Sequence, residues 1–373
     1  MDALMLPLNW QKVRLGDVGK PCMCKRVMKH QTTRYGEIPF YKIGTFGNTA
    51  DAFISKKLFL EYKTKYSFPK KGDILISASG TIGRAVIYDG KPAYFQDSNI
   101  VWIDNDETLV KNDFLFYAYS NVKWNTEHTT ILRLYNDNFR NTLIPLPPLN
   151  EQSAIANILS GLDRYLYALD ALILKKDGVK KALSFELLSQ RKRLKGFNQA
   201  WQRVRLGDIA NYLTSNLSAE QITQQGKIKV YDVNNFIGYT DTTFISDKPY
   251  ISIVKDGSVG RVRILPPKTN ILSTMGALIA NHRTTTEFLF YLLSNFDFKN
   301  FTSGSIIPHI YFKDYKEKTI FLPPLNEQSA IANILSALDN EITSLKNKKR
   351  QFENIKKALN HDLMSAKIRV LKK

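Results

Sequence analysis

Cysteine is almost absent from this chain of 373 residues: two occur, Cys22 and Cys24, with only Met23 between them. One Cys-x-Cys without a second cluster cannot supply the four ligands of a structural zinc site, and His30 nearby does not complete one. Two ordinary thiols in a reducing compartment are expected, with no metal. Histidine is scarce too, at positions 30, 128, 282, 309 and 361, and no H-E-x-x-H spacing joins any pair. A G-x-x-x-x-G-K-[ST] loop is lacking, so no nucleotide is expected to bind through one. No window approaches the roughly 20 apolar residues of a membrane helix. Met1 to Lys12, with Asp2 and no sustained apolar core, does not read as a signal peptide. A soluble, intracellular protein is expected.

Positive charge, by contrast, is plentiful. The balance of 53 Lys+Arg against 34 Asp+Glu gives a formal charge of +19, which favours a polyanionic partner because neutralised phosphates release condensed counterions. Hydrophobic residues at 43% suffice to bury ordinary cores, and a length of 373 residues suggests two or three domains.

The chain repeats itself. Leu146 to Asp163 (LPPLNEQSAIANILSGLD) returns as Leu322 to Asp339 (LPPLNEQSAIANILSALD), and Trp10 to Asp17 (WQKVRLGD) as Trp201 to Asp208 (WQRVRLGD). Weaker echoes lie between: Gly80-Thr81-Ile82-Gly83-Arg84 answers to Gly257-Ser258-Val259-Gly260-Arg261, and Phe114 to Tyr117 to Phe288 to Tyr291. The first copy carries an extra stretch ahead of its glycine turn, expected to lengthen surface loops. Near-identical ends around divergent middles fit ends that share one mechanical task while each middle reads something different.

After each Pro-Pro, Asn150 and Asn326 are expected N-caps, with Glu151 and Glu327 in the favourable first turn. Apolar residues then recur in steps of three and four: Ile155, Leu159, Leu162, Leu166, Leu169, Ile173, Leu183 and Leu187 in one copy, and Ile331, Leu335, Leu338, Ile342, Leu345, Phe352, Ile355, Leu359 and Leu363 in the other. This near-heptad seam predicts two long helices, each packed on a long partner, most simply the other copy. Asp177-Gly178 and Lys349 suggest local breaks. Roughly 45 residues at about 1.5 Å each would reach roughly 65 Å.

The middles read as mixed α/β. Strands are expected at Ile38 to Ile43, Asp73 to Ser77, Ala85 to Tyr88 and Asn99 to Ile103, then a helix near Asp113 to Asn121. In the second copy they are expected at Ile228 to Val233, Tyr250 to Val254, Val262 to Leu265 and Asn270 to Ser273, with a helix near Thr286 to Asn295. If the polyanion is DNA, the glycine-flanked tips carrying Ser79, Thr81 and Arg84, and Ser258, Arg261 and Arg263, could enter a groove. Arg forks suit guanine and Asn or Gln amides suit adenine, adding Gln96, Asn99, Asn234 and Asn235 as candidate readers. Lys42, Lys70, Lys71, Lys229, Lys255 and Lys313 suit phosphates.

These residues together resemble the specificity subunits of type I restriction-modification systems, across essentially the whole chain. The carriers are the PPLNEQxAIAxxL-type blocks at 147–159 and 323–335, the KGDILISASGTIGRA stretch at 71–85 and the WQKVRLGD and WQRVRLGD openings; YISIVKDGSVGR in the second copy is only a loose version of the third. The resemblance implies an α+β protein with two mixed α/β target-recognition domains, 1–149 and 197–325. Two long antiparallel helices, 150–196 and 326–373, would form a coiled-coil-like spacer between them, related by an internal pseudo-twofold repeat. Each domain would read one half of a bipartite double-stranded DNA target, the halves non-identical and roughly one turn, about 34 Å, apart. Two methyltransferase subunits would dock on the helices, with Ile155, Leu159, Leu162, Leu166, Ile331, Leu335, Leu338 and Ile342 in helix packing or partner binding, and restriction-translocase subunits would join. No cofactor is expected on this chain; S-adenosylmethionine, ATP and magnesium belong with the partners. The setting would be the cytoplasm of a bacterium or archaeon.

An adenine methyltransferase needs an Asn/Asp-Pro-Pro-aromatic motif, whereas the Pro-Pro pairs here precede Leu149, Leu325 and Lys268. Two alternatives stay open: a stand-alone DNA-binding regulator, and a metal-dependent nuclease using scattered carboxylates such as Asp73, Asp97 and Asp256.

Overall fold

The computed structural model describes Pro7, residues 9–128 and residues 132–370. In chain order the first copy contains β1 (Gln11–Arg14), α1 (Leu15–Val18), β2 (Gly19–Met23), β3 (Ile38–Tyr41), β4 (Phe53–Ile54), α2 (Lys56–Lys65), β5 (Ile74–Ser77), β6 (Ala85–Ile87), β7 (Tyr94–Phe95), β8 (Ile100–Asn105), α3 (Asn112–Tyr119), β9 (Glu127–His128), β10 (Leu132–Arg133), α4 (Asn136–Asn141) and β11 (Leu143–Leu146), followed by the long helix α5 (Leu149–Leu188). The second contains β12 (Gln202–Arg205), β13 (Ala210–Thr214), β14 (Ile228–Tyr231), β15 (Phe236–Thr240), β16 (Tyr250–Val254), β17 (Val262–Leu265), β18 (Thr269–Ile271), β19 (Met275–Ala280), α6 (Thr286–Ser294), β20 (Thr302–Ser303), β21 (His309–Ile310), α7 (Phe312–Tyr315) and β22 (Thr319–Leu322), then α8 (Leu325–Met364).

The copies match sheet for sheet. A four-stranded antiparallel sheet, β2-β8-β5-β6, has its counterpart in β13-β19-β16-β17, and a three-stranded sheet, β4-β3-β7, in β15-β14-β18. The repeated ends of each domain pair with one another: β1 lies antiparallel to β11 with Gln11 opposite Leu146, and β12 to β22 with Gln202 opposite Leu322. That explains why the WQ(K/R)VRLGD and LPPLNEQ blocks recur together, since each pair closes one domain just before its helix leaves.

The chain divides into two compact units, residues 1–169 with 348–373, and residues 170–347. Each unit therefore holds one α/β domain, the opening half of its own helix and the closing half of the other. Within the first, Asp163 of α5 pairs with Lys356 of α8 and Glu151 with Arg369; within the second, Asp339 pairs with Lys180 and Glu327 with Arg193. The partner number falls as the other rises, so the helical segments run antiparallel in each unit, as expected from the seam.

Three predictions need correction. Both long helices run unbroken for 40 residues, through Asp177-Gly178 and through Lys349. One helical glycine costs only about 1 kcal/mol against alanine, which the packing of the seam outweighs. Asn150 and Asn326 lie one residue inside the helices rather than at their caps, each accepting a hydrogen bond from the next backbone N–H. The extra stretch of the first copy is largely a helix, α2, rather than loop: Ser55 caps it by accepting from Leu58 N–H, and Phe59 is buried in a core with Phe46, Tyr88 and Trp102. Of the seam, Ile155, Leu159, Leu169, Ile173, Leu187, Ile331, Leu335, Ile342 and Leu363 are buried, whereas Ile355 is half exposed.

Glu151 and Glu327 fasten domain to helices. Each is almost completely buried and accepts a bidentate pair from an arginine, Arg369 or Arg193, together with the indole N–H of Trp10 or Trp201 at 3.1 and 3.0 Å. The next residue does the complementary job. Gln152 accepts from Lys111 N–H and donates to the Leu109 and Pro147 carbonyls; Gln328 accepts from Thr285 N–H and donates to the Arg283 and Pro323 carbonyls. A third joint links Tyr117 to Asp163 and Tyr291 to Asp339, with Lys356 and Lys180 over the tyrosine rings.

Candidate nucleic-acid interface

In each domain the strand that carries the glycine turn ends against a short hairpin. In the first, β5 runs into Ala78-Ser79-Gly80-Thr81-Ile82-Gly83, with Leu134 N–H donating to the Ala78 carbonyl and Ala78 N–H to the Asn99 carbonyl. In the second, β16 runs into Lys255-Asp256-Gly257-Ser258-Val259-Gly260, with Ile310 N–H donating to Lys255 and Lys255 N–H to Thr274. The turns close alike, Gly83 N–H on Ser77 and Gly260 N–H on Val254. The second turn thus keeps the backbone of the first despite its loose sequence. Only glycine fits at their ends: φ is +83° at Gly83 and +80° at Gly260, and a Cβ there would lie 2.0 Å from Trp124 or 2.6 Å from Phe298.

The first domain gathers part of its predicted set. Lys42, Gln96 and Asn99 line one cleft of about 490 Å³ together with Arg26, Lys29 and Arg133. Gln96 spends its carbonyl on Ile43 N–H, and Lys42 pairs with Asp51 at 2.8 Å. Ser79 is buried and donates to Asn99 at 2.7 Å, so it orients a cleft residue rather than facing outward. Thr81 and Arg84 are exposed on the turn, and Arg84 lines a different groove beside Phe116, Lys356 and Lys357. Of the lysines assigned to phosphates, Lys70 pairs with Asp104.

In the second domain Arg263, Asn234 and Asn235 come together: the Arg263 guanidinium donates to the Asn234 carbonyl at 3.0 Å and lies over the Tyr231 ring, while both asparagine N–H groups donate to Asp232. Lys229 is exposed on β14, Ser258 and Arg261 are exposed on the glycine turn, and Lys255 is half buried. Lys71 and Lys313 are exposed.

Sequence reasoning missed Arg26, Lys29 and Arg133, and in the second domain His309, whose Nδ1 lies 2.7 Å from Oδ1 of Asp256, a residue considered only as a nuclease carboxylate. A signal for the last pair existed, since Arg133-Leu134-Tyr135 recurs as His309-Ile310-Tyr311 at the spacing that separates the LPPLNEQ blocks. The residues assigned to helix packing or partner binding sort by depth. Ile155, Leu159, Ile331, Leu335 and Ile342 are buried; Leu162, Leu166 and Leu338 are half buried. Exposed apolar side chains on the same helices include Ile158, Tyr167, Leu172, Leu174 and Ile334.

Neither cysteine is activated: burial pushes the Cys24 thiol up to about 12 and raises Cys22 as well. Asp73 is raised by burial and accepts from Lys70 N–H, Asp97 pairs with Arg26, and Asp256 with His309. Among the described residues no three His, Cys, Asp or Glu side chains are grouped to hold a metal, and no helix is long and apolar enough to cross a membrane.

Duplicated α+β domains docked on long helices, with a different polar face in each copy, define a tandem-repeat protein of two α+β domains. The family model described as the type I restriction modification DNA specificity domain matches residues 7–176 and 198–354, and the chain belongs to that family. A Haemophilus influenzae chain named as a type I restriction enzyme specificity subunit is 64% identical over 148 residues, 39% of this chain and 38% of that one. The MjaVIII specificity subunit of Methanocaldococcus jannaschii is 26% identical over 99% of this chain and 95% of its own. The fold is that of the type I restriction-modification S subunit from M. genitalium, with a TM-score of 0.64 at 20% identity over 96% of this chain and 98% of that one.

Proposed function

We propose that this chain is the DNA-reading, non-catalytic subunit of a type I restriction-modification complex, with one half-site read by each recognition domain. The observation that carries the reading is the contrast within the repeat. The Trp–Glu–Arg and Tyr–Asp–Lys joints recur contact for contact, while the polar faces around the glycine turns do not. Lys42, Gln96 and Asn99 with Arg133 serve the first half-site. Lys229, Asn234, Asn235 and Arg263 serve the second, with Lys255, Ser258 and Arg261 on its turn; Thr81 and Arg84 flank the first. Ser79 acts through Asn99.

Two methyltransferase subunits dock on the helical segments, where Leu172 and Leu174 are exposed apolar anchors on the part of α5 that belongs to the second unit. The methyl donor, the nucleotide and magnesium sit on partner subunits, and the complex works in the cytoplasm. The separate engagement of Asp73, Asp97 and Asp256 disfavours the nuclease alternative.

The test is co-expression with the product of the neighbouring methyltransferase gene and genome-wide mapping of methylated adenine. A split motif with a fixed gap and two unlike halves is expected. A continuous motif, or failure to form a stoichiometric complex, would return the regulator and nuclease readings.

A further inference from the structure

Ser79 and Asp256 occupy the same place in the two copies, each bridged in antiparallel fashion to the hairpin residue beside it, Arg133 or His309. The chemistry at this place is opposite. In the first domain the hydroxyl is turned inward onto Asn99 and Arg133 lines the cleft with no carboxylate partner among the described residues. In the second, a carboxylate and an imidazole face each other, with about a third of each side chain exposed. Asp256 Oδ1 is taken by His309, and Oδ2 has no hydrogen-bond donor among the described residues.

A partly exposed carboxylate on a face that meets phosphates is repelled by them, so it is favoured only where the ligand supplies a donor. In the major groove, donors come from the N6 amino group of adenine and the N4 amino group of cytosine, whereas guanine N7 and O6 and thymine O4 are acceptors. We propose that Asp256 is a specificity-determining residue: its free oxygen accepts from the exocyclic amino group of an adenine or cytosine in the second half-site and rejects guanine and thymine there. His309 is the positioning residue, its Nδ1–H holding the carboxylate edge outward. The equivalent place in the first domain offers the Arg133 guanidinium, a donor suited to guanine, so the two domains read with reversed hydrogen-bond polarity. This rests on the DNA-reading function proposed above.

The experiment selects bound duplexes from a randomised DNA library with the whole chain in its methyltransferase complex, for wild type, Asp256→Ala, His309→Ala and His309→Gln. Wild type is expected to enrich a split motif. Asp256→Ala should lose, by about tenfold, the preference for A or C at one position of one half-site, leaving the other half-site selective as an internal check on folding. His309→Ala should weaken the same preference and His309→Gln, which keeps a donor, should retain it. If the preferred base is adenine, replacing it by purine, which lacks the 6-amino group, should cost wild type about tenfold and Asp256→Ala nothing; if cytosine, the analogue lacking the 4-amino group serves. A motif unchanged by Asp256→Ala, or a loss of affinity equal for all duplexes, would overturn the assignment while leaving the DNA-reading function standing. A wild type that enriches no motif would overturn both.

Discussion

Glu151 and Glu327 occupy equivalent positions and equivalent settings, each buried under a tryptophan and an arginine. Ser79 and Asp256 occupy equivalent positions and unlike settings. The difference teaches where this chain is constrained. A joint that must hold an α/β domain on a pair of helices needs one geometry, and a buried carboxylate tolerates few substitutes because an unpaired buried charge is costly. The glycine turn needs only its backbone, which two glycines and a short hairpin provide, and its side chains are free to diverge.

The contrast can be broken or sharpened by substitution. Leu335 is fully buried and Leu338 only half buried, so Leu335→Lys should destabilise the second unit by about 5 kcal/mol in chemical denaturation, and Leu338→Lys by much less. Equal costs would show that the seam does not pack as described. Next, Glu327→Ala should cost about 3 to 5 kcal/mol, and a double-mutant cycle with Arg193→Ala should return the same coupling as Glu151 with Arg369; unequal couplings would mean the joints are not equivalent. Within one turn, Gly260→Ala should cost about 2 to 3 kcal/mol, because strain at positive φ adds to a clash with Phe298. Gly257→Ala meets open space at φ +82° and should cost about 1 kcal/mol. The smallest effects separate two neighbouring tyrosines. Tyr117→Phe loses a hydrogen bond to Asp163 worth about 1 kcal/mol. Tyr119→Phe removes a buried hydroxyl that has no partner among the described residues and should be neutral or slightly stabilising, in line with Leu293 at that place in the second copy.

Most of the architecture was legible because it is written twice. Pro-Pro, the three-and-four spacing of Ile155, Leu159, Ile331 and Leu335, and the apolar runs of β5, β8 and β16 are local patterns, and local patterns report local structure. Pairing of β1 with β11 joins residues far apart in sequence, and nothing in a single sequence states it. The closing halves of the helices carried a fainter message. Lys180-Lys181-Ala182-Leu183 repeats as Lys356-Lys357-Ala358-Leu359 at the spacing of the LPPLNEQ blocks, and beyond it Arg193 and Arg369, the residues that grip the buried glutamates, stand at that same spacing. Four residues were too short an echo to stand out unaided. The cleft was the least legible part, since Arg26 and Lys29 come from one segment and Arg133 from another, and only the fold brings them beside Gln96 and Asn99.

We propose that one shared frame carries two independent readers. The most direct measurement replaces residues 209–318, between the second WQRVRLGD opening and β22, with residues 18–142 of the first copy, and maps the methylation motif of the resulting complex. The expected result is a folded chain whose target has two identical halves, each equal to the first half-site of the wild type. An unaltered asymmetric motif would contradict it, because the replaced segment would then not be the reader.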